Sequence, residues 1–396
     1  MKWEIAKLGD ISKNIQTGPF GSQLHQSDYS ECGIPVVMPK DLIGGKISEE
    51  SIARVDKTHV ERLCRHKIEV GDILYSRRGD VGRCAHVTKK EEGWLCGTGC
   101  LRVTIDSEKA DSRFVFFQLQ HPDTVGWVEK HAVGATMLNL NTTILSSVPI
   151  RLPALEIQKR IADILSAYDD LIENNQKQIK LLEEAAQRLY KEWFVDLRFP
   201  GHENTKIVDG VPEGWNEKTL SQVANVIMGQ SPKSEFYNSE KKGLPFHQGV
   251  GSYGVRFVVD DIYSTSYTRI AEPNSILFSV RAPVGRLNIT KNKVVIGRGL
   301  AAINQTDGCQ SYLYYLLKNK FFKDNIVGNG SIFASVSKDE LLNQKFLIPE
   351  RNLMMQFEKI VSQMDKQIEN LDSKNKKLIE ARDRLLPKLM SGEVEV

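Results

Sequence analysis

Residues 156–193 read EIQKRIADILSAYDDLIENNQKQIKLLEEAAQRLYKEW, without a single glycine or proline. Pro153 stands just before this run, and Pro200-Gly201 closes it. Such punctuation predicts one uninterrupted helix, roughly 57 Å long at 1.5 Å per residue. Ile161, Tyr168, Asn175, Leu182 and Leu189 recur every seventh position and form one seam. A second seam is expected along Ile157, Ile164 and Leu171, then Gln178 or Ile179, then Ala185 or Ala186. Alternating three- and four-residue spacing is the pattern of helices that pair along their length. Asn175 interrupts the apolar series. It either fixes the register of a buried seam or marks a partly wet stretch.

The run occurs twice. Gly134 to Pro153 matches Gly330 to Pro349 at a shift of 196, and the same shift continues without a gap. It pairs Asp169 with Asp365, Ile172 with Ile368, Glu173 with Glu369, Leu182 with Leu378, Arg188 with Arg384 and Leu189 with Leu385. In the second copy the seam reads Phe357, Met364, Leu371, Leu378 and Leu385, with Ile360, Ile368 and Leu389 on the other. Leu371 stands where the first copy has Asn175. Seams this long need covering, and the simplest cover for one helix is the other.

Outward from the helices the repeat loosens. Ile73-Leu74-Tyr75-Ser76 matches Ile276-Leu277-Phe278-Ser279 at a shift of 203, as do Arg78 and Arg281. Gly97-Thr98-Gly99 answers Gly297-Arg298-Gly299 at a shift of 200. The expected division is a globular domain over 1–153, a helix region over 154–199, a linker over 200–211, a second globular domain over 212–349 and a second helix region over 350–396. The globular segments read as mixed α/β. Strands are expected at 34–38, 72–76, 101–105, 256–259, 275–279 and 293–296, and helices at 112–119 and 311–318. Two scaffolds are kept alike while two surfaces differ.

The chain has 396 residues, 41% of them hydrophobic and 26% charged, with a net charge of +3. The helix regions are neutral to slightly acidic, so the basic excess falls on the globular parts and suits a polyanionic partner. The start of the chain, Met1-Lys2-Trp3-Glu4, lacks the apolar core of a signal peptide, and no stretch is apolar enough to span a membrane. A cytoplasmic location is expected. The six cysteines form no Cys-x-x-Cys pair, and the eight histidines do not cluster with them at ligand spacing. Free thiols and no metal site follow.

Polar, glycine-rich loops between the strands supply the candidate contacts. Arg forks and hydroxyls suit phosphate oxygens, and Arg also suits the guanine edge. The first domain offers Thr17, Gly18 and Ser22, then Lys40, then Ser76, Arg77 and Arg78, then Thr98. At matching depth the second offers Gln230 and Ser231, then His247 and Gln248, then Ser279 and Arg281, then Arg298. No phosphate-binding G-x-x-x-x-G-K-[ST] loop, no Asn-Pro-Pro-Tyr or Asp-Pro-Pro-Tyr motif and no G-x-S-x-G elbow is present. No catalytic residue is nominated. A binding protein is the reading, and a coiled-coil adaptor for proteins or small molecules is its alternative.

Together these stretches resemble the specificity (S) subunit of type I restriction-modification systems. The resemblance rests on Gly71-Asp72-Ile73-Leu74-Tyr75-Ser76-Arg77-Arg78-Gly79 leading to Gly93-Trp94-Leu95-Cys96-Gly97-Thr98-Gly99. It rests also on Gln187 to Asp196, on Val211-Pro212-Glu213-Gly214-Trp215 and on Leu385 to Glu393. It implies an α+β chain: two α/β target-recognition domains, each followed by a long helix, the helices packed as an antiparallel coiled coil with pseudo-twofold symmetry. Each domain would read one half of a bipartite, asymmetric double-stranded DNA site. The helices would fix the spacer and dock two methyltransferase (M) subunits. The resemblance places S-adenosylmethionine in the M subunits and ATP-driven translocation and cleavage in the restriction (R) subunits. Mg2+ is likewise expected in partner subunits, and no cofactor in this chain.

Overall fold

A computed structural model describes residues 3–134, 138–321 and 335–396. Met1, Lys2 and Gly330, where the second copy of the tight repeat begins, lie outside them. The fold is α+β. It divides into two compact units, Met1–Asn175 with Ser373–Val396, and Gln176–Asp372. The predicted helices run over Leu155–Phe194 and Arg351–Ser391. Neither belongs whole to one unit.

In the first unit, Ser12–Thr17, Cys100–Ile105, Ile73–Ser76 and Cys84–His86 form an antiparallel sheet in that order. Its alternation sorts side chains between two cores. Ile73, Tyr75, Leu101 and Val103 face the core that also holds Phe114, Phe117 and Ile161. Leu74 and Cys100 face a smaller core with Val37 and Cys96. A second sheet runs Leu95–Cys96, Ile34–Val37, Ala53–Val55, Tyr29–Ser30. Glu4–Lys7 pairs with Pro149–Leu152 where the chain enters the long helix. The Asp111 carboxylate caps helix Ser112–Gln120 by accepting from the Arg113 and Phe114 amides.

The second unit repeats this wiring. Ala224–Met228, Leu300–Gln305, Ile276–Ser279 and Leu287–Ile289 form its antiparallel sheet. Ile276, Phe278, Ala301 and Ile303 face the large core, while Leu277, Leu300 and Ala302 face the small one. Asn216–Thr219 pairs with Lys345–Ile348 as its counterpart does in the first unit. Across the stretch between the helix and the second domain, Ile207–Val208 pairs with Val211–Pro212 as a short hairpin. Residues 256–259 form only isolated bridges, through Phe257 and Val258. A buried charge at Arg256 takes the place of the expected strand.

Within each unit the helix stretches pack antiparallel. In the first, Asp169 meets Arg382 at 2.5 Å and Asn175 meets Asn375 at 2.8 Å, one number rising as the other falls. In the second, Tyr190 and Trp193 pack on Phe357, and Ile179, Ile368 and Leu371 share the core. Ile161, Asn175, Phe357 and Leu371 are buried; Tyr168, Leu182, Leu189, Met364, Leu378 and Leu385 are half-buried. The other seam is buried as expected at Ile179, Ala186, Ile368 and Leu389 and departs from expectation at Leu171 and Ile360. Leu171 is 51% exposed and Ile360 42% exposed. The buried positions are Leu165, Ile172, Ile179, Ala186 and Trp193 on the first helix, and Val361, Ile368, Asn375 and Leu389 on the second. Both choices satisfy the spacing; only the set lying beside the first seam can be covered by the same partner helix.

Candidate nucleic-acid interface

In each unit four loops converge at one end of the main sheet, and a glycine pair sets how close they come. The Gly18 amide donates to the Cys100 carbonyl at 2.9 Å, and the Gly97 amide to that of Val37 at 2.9 Å. A Cβ on Gly18 would lie 2.0 Å from the Gly97 carbonyl oxygen, so no side chain fits there. In the second unit the Gly229 amide donates to Leu300 at 2.9 Å and the Gly297 amide to His247 at 2.8 Å. A Cβ on Gly229 would lie 2.2 Å from the Gly297 carbonyl. The third loop joins through the Arg77 amide on the Gly99 carbonyl at 2.8 Å, and the Val280 amide on that of Gly299 at 2.9 Å.

Side chains then dress this shared frame differently. In the first unit Thr17 is half-buried and Ser22 exposed. Thr98 is half-buried and donates its hydroxyl to the Pro19 carbonyl at 2.9 Å. Arg77 is half-buried, its guanidinium 5.7 Å from the Phe20 ring centroid, and its Nε has no partner among the described residues. Arg78 is exposed and its backbone bridges to Asn139. Lys40 is exposed, with its ammonium on the Ser51 carbonyl at 2.7 Å and 3.3 Å from Asp41.

In the second unit Gln230, Gln248, Arg281 and Arg298 are exposed. Ser231 donates to Gln248 Oε1 at 3.0 Å while the Arg298 amide donates to Ser231 Oγ at 3.2 Å, tying three loops. Arg281 bridges to Ser335, as Arg78 does to Asn139. Beside these residues runs a groove of about 1360 Å3, with Lys233, Tyr237, Phe246, Asp260 and Asp261 also on its walls.

Four candidates are not presented to a ligand. Gly18 is buried and serves the backbone approach. Ser76 is buried, its hydroxyl donating to the Arg78 carbonyl at 3.1 Å. Ser279 is buried likewise, donating to the Pro283 carbonyl at 2.6 Å and accepting from the Arg286 amide at 2.8 Å. Both serines brace the arginine loop rather than project from it. His247 is fully buried between Ser252 Oγ at 2.9 Å and Asp260 Oδ1 at 3.2 Å. Sequence reasoning passed over Phe20, 54% exposed beside Arg77, although an exposed aromatic in a Gly-Pro-Phe-Gly loop was a signal.

Charged groups fasten each domain to the long helices. Arg256, 2% exposed, pairs with Glu183 at 3.2 Å and with Asp365, donates to Tyr315 Oη at 3.1 Å and lies 4.4 Å from the Tyr314 ring centroid. Burial raises the Asp365 carboxyl above its ordinary range, with Arg256 opposing. Lys291 reaches Asp372 at 2.7 Å, and in the first unit Lys46 pairs with Glu173.

Among the described residues no cluster of His, Cys, Asp and Glu could hold a metal ion, and no helix is long and apolar enough to cross a membrane. Burial pushes the Cys84 and Cys96 thiols up to about 12, so they stay protonated and unreactive.

Residues 1–184 and 212–381 each match the model of the type I restriction modification DNA specificity domain. The chain belongs to this family. Among relatives of the family, the MjaX specificity subunit of Methanocaldococcus jannaschii is 29% identical over 405 residues, spanning all of this chain and 94% of that one. The HindI specificity subunit of Haemophilus influenzae is 24% identical over 472 residues, covering 99% of each. In fold, the chain is similar to the crystal structure of a type I restriction-modification S subunit from M. genitalium. The TM-score there is 0.65 at 19% identity, over 98% of this chain and 96% of the other. Membership assigns the protein the non-catalytic, DNA-recognising role of a specificity subunit and removes the adaptor alternative.

Proposed function

We propose that the four-loop end of each unit reads one half of a bipartite, asymmetric DNA site. The observation that carries this is one glycine-locked frame, built twice, with different tips. Arg77, Arg78, Lys40, Thr98, Thr17 and Ser22 face one half-site; Arg298, Arg281, Gln248, Gln230 and Ser231 face the other. Arg78 and Arg281, a matched pair exposed in both copies, take base edges or phosphates. The reading also gives the long helices two tasks. They fix the spacer between the half-sites, and they dock two M subunits. Leu171 and Ile360, apolar yet outside the buried seam, belong to that dock. The M subunits bring S-adenosylmethionine and adenine methylation; R subunits add ATP- and Mg2+-dependent cleavage, in the cytoplasm.

The experiment is adenine-methylation mapping with the M partner present. Replacing residues 1–153 with the corresponding domain of another specificity subunit should change one half of the methylated sequence and leave the other half intact. An unchanged methylated sequence would reject the proposal.

A further inference from the structure

Asn175 and Asn375 are 9% and 7% exposed, and each stands at a seam position. The Asn175 amide donates to Asn375 Oδ1 at 2.8 Å, and the Asn375 amide reaches the Ile172 carbonyl at 3.4 Å. At the fixed shift of 196, Asn175 corresponds to Leu371 and Asn375 to Ile179. Ile179 and Leu371 lie together in the apolar core of the second unit. The repeat thus carries a polar pair at one place and an apolar pair at the equivalent place.

This has a consequence for which helices can pair. Suppose the first helix met another copy of itself in the same antiparallel register. Asn175 would then face Ile179. The second helix against its own copy would place Asn375 opposite Leu371. Each arrangement buries asparagines with no amide partner, whereas the apolar layers would accept the exchange: Leu165 would meet Leu189, and Ile172 would meet Leu182. The part-exposed Asp169–Arg382 pair adds to the same preference on the first helix, where Ala186 would replace Arg382. An unpartnered buried polar group disfavours its state by roughly 5- to 150-fold. A dimer exchanging both helices would contain four such asparagines.

We infer that the Asn175–Asn375 pair makes the two long helices select each other and reject a second copy of either one. A gap-free repeat needs such a device, because its two helices carry apolar residues at many of the same seam positions. The cost of the polar pair is borne in the correct pairing to make the incorrect ones worse.

The test uses the full chain, refolded from denaturant over a range of protein concentrations and weighed by light scattering. Wild type should refold to one mass. N175I/N375L, with both layers apolar, should add a species of twice that mass whose share grows with concentration. The relocated pair, N175I/I179N/L371N/N375L, should restore the wild-type mass. An N175I/N375L chain that keeps the wild-type mass at every concentration would overturn the inference. Should that variant not refold, I179N/L371N carries the same test, since it also leaves each helix equally suited to its own copy. A doubled mass supports the inference and an unchanged mass overturns it.

Discussion

Consider Arg256→Met. The arginine lies against two carboxylates from the two long helices, Glu183 and Asp365, and stacks on Tyr314. Methionine keeps much of the volume and packs acceptably against tyrosine. What it removes is the only charge on the domain's loop that neutralises this pair of acids among the described contacts. Breaking a buried ion pair on one side costs about 3–5 kcal/mol, because the stranded charge loses solvent without gaining a partner. The loss should also depend on pH. Burial already raises the Asp365 carboxyl, and losing Arg256 raises it further. With its folded pKa above the unfolded one, Asp365 holds its proton more firmly when folded. Acidification therefore favours the folded variant, and the defect should shrink as pH falls toward the ordinary carboxylate range. Urea unfolding of wild type and Arg256→Met from pH 8 to pH 5 measures both effects. Adding Asp365→Asn should recover part of the loss. A penalty below about 1 kcal/mol, or one that grows on acidification, would refute the reasoning, since it would mean the acids never depended on this arginine.

Other perturbations probe the remaining parts. Arg78→Ala or Arg281→Ala should weaken DNA binding by about 1–3 kcal/mol and relax one position of the half-site if the residue touches a base. A phosphate contact would instead lower affinity uniformly and flatten the salt dependence, and unchanged binding in both would contradict the loop assignment. Gly18→Ala places a methyl against the Gly97 carbonyl, so it should cost about 1–3 kcal/mol in thermal unfolding and lower affinity for one half-site only. His86 is half-buried beside Phe116 and Ser112, and desolvation lowers it from 6.5 to about 4. The unfolded chain takes up this proton first, so stability should fall as pH drops from 6.5 toward 4, by at most about 3 kcal/mol. His86→Gln should flatten that slope in urea titrations. Leu171→Asp should leave the unfolding midpoint nearly unchanged yet impair assembly with M subunits, while Ile172→Asp, one residue away, should destabilise the chain itself; equal effects would contradict the observed seam.

The repeat made the duplicated architecture legible before any coordinates. Local signals also located the strands around Ile73 and Ile276 and the helices Ser112–Gln120 and Gln310–Phe321. Long-range effects were harder. Leu171 and Ile172 are neighbours of equal hydrophobicity, and only the direction of the partner helix decides which is covered. Arg256 sits in a Val- and Phe-rich run that reads as a strand, while its two carboxylate partners lie far away in sequence. For the candidate interface, matching depth in the two copies identified the loops that converge. It did not separate tips from braces. Ser76 and Ser279 match because both hydroxyls hold the same turn, and His247 is drawn inside by Ser252 and Asp260. Buried similarity, as at Ser76 and Ser279, marked scaffold, whereas the exposed Arg78 and Arg281 and the differing Thr98 and Arg298 belong to the surface proposed for recognition.

The central claim is two readers on one duplicated frame. Its most direct test is single-molecule mapping of methylated adenines in cells carrying this protein and its M partner, comparing wild type with Arg281→Ala. Two separated half-sites, with relaxation confined to one, are the predicted result. Methylation at a single continuous site, or relaxation of both halves at once, would contradict it.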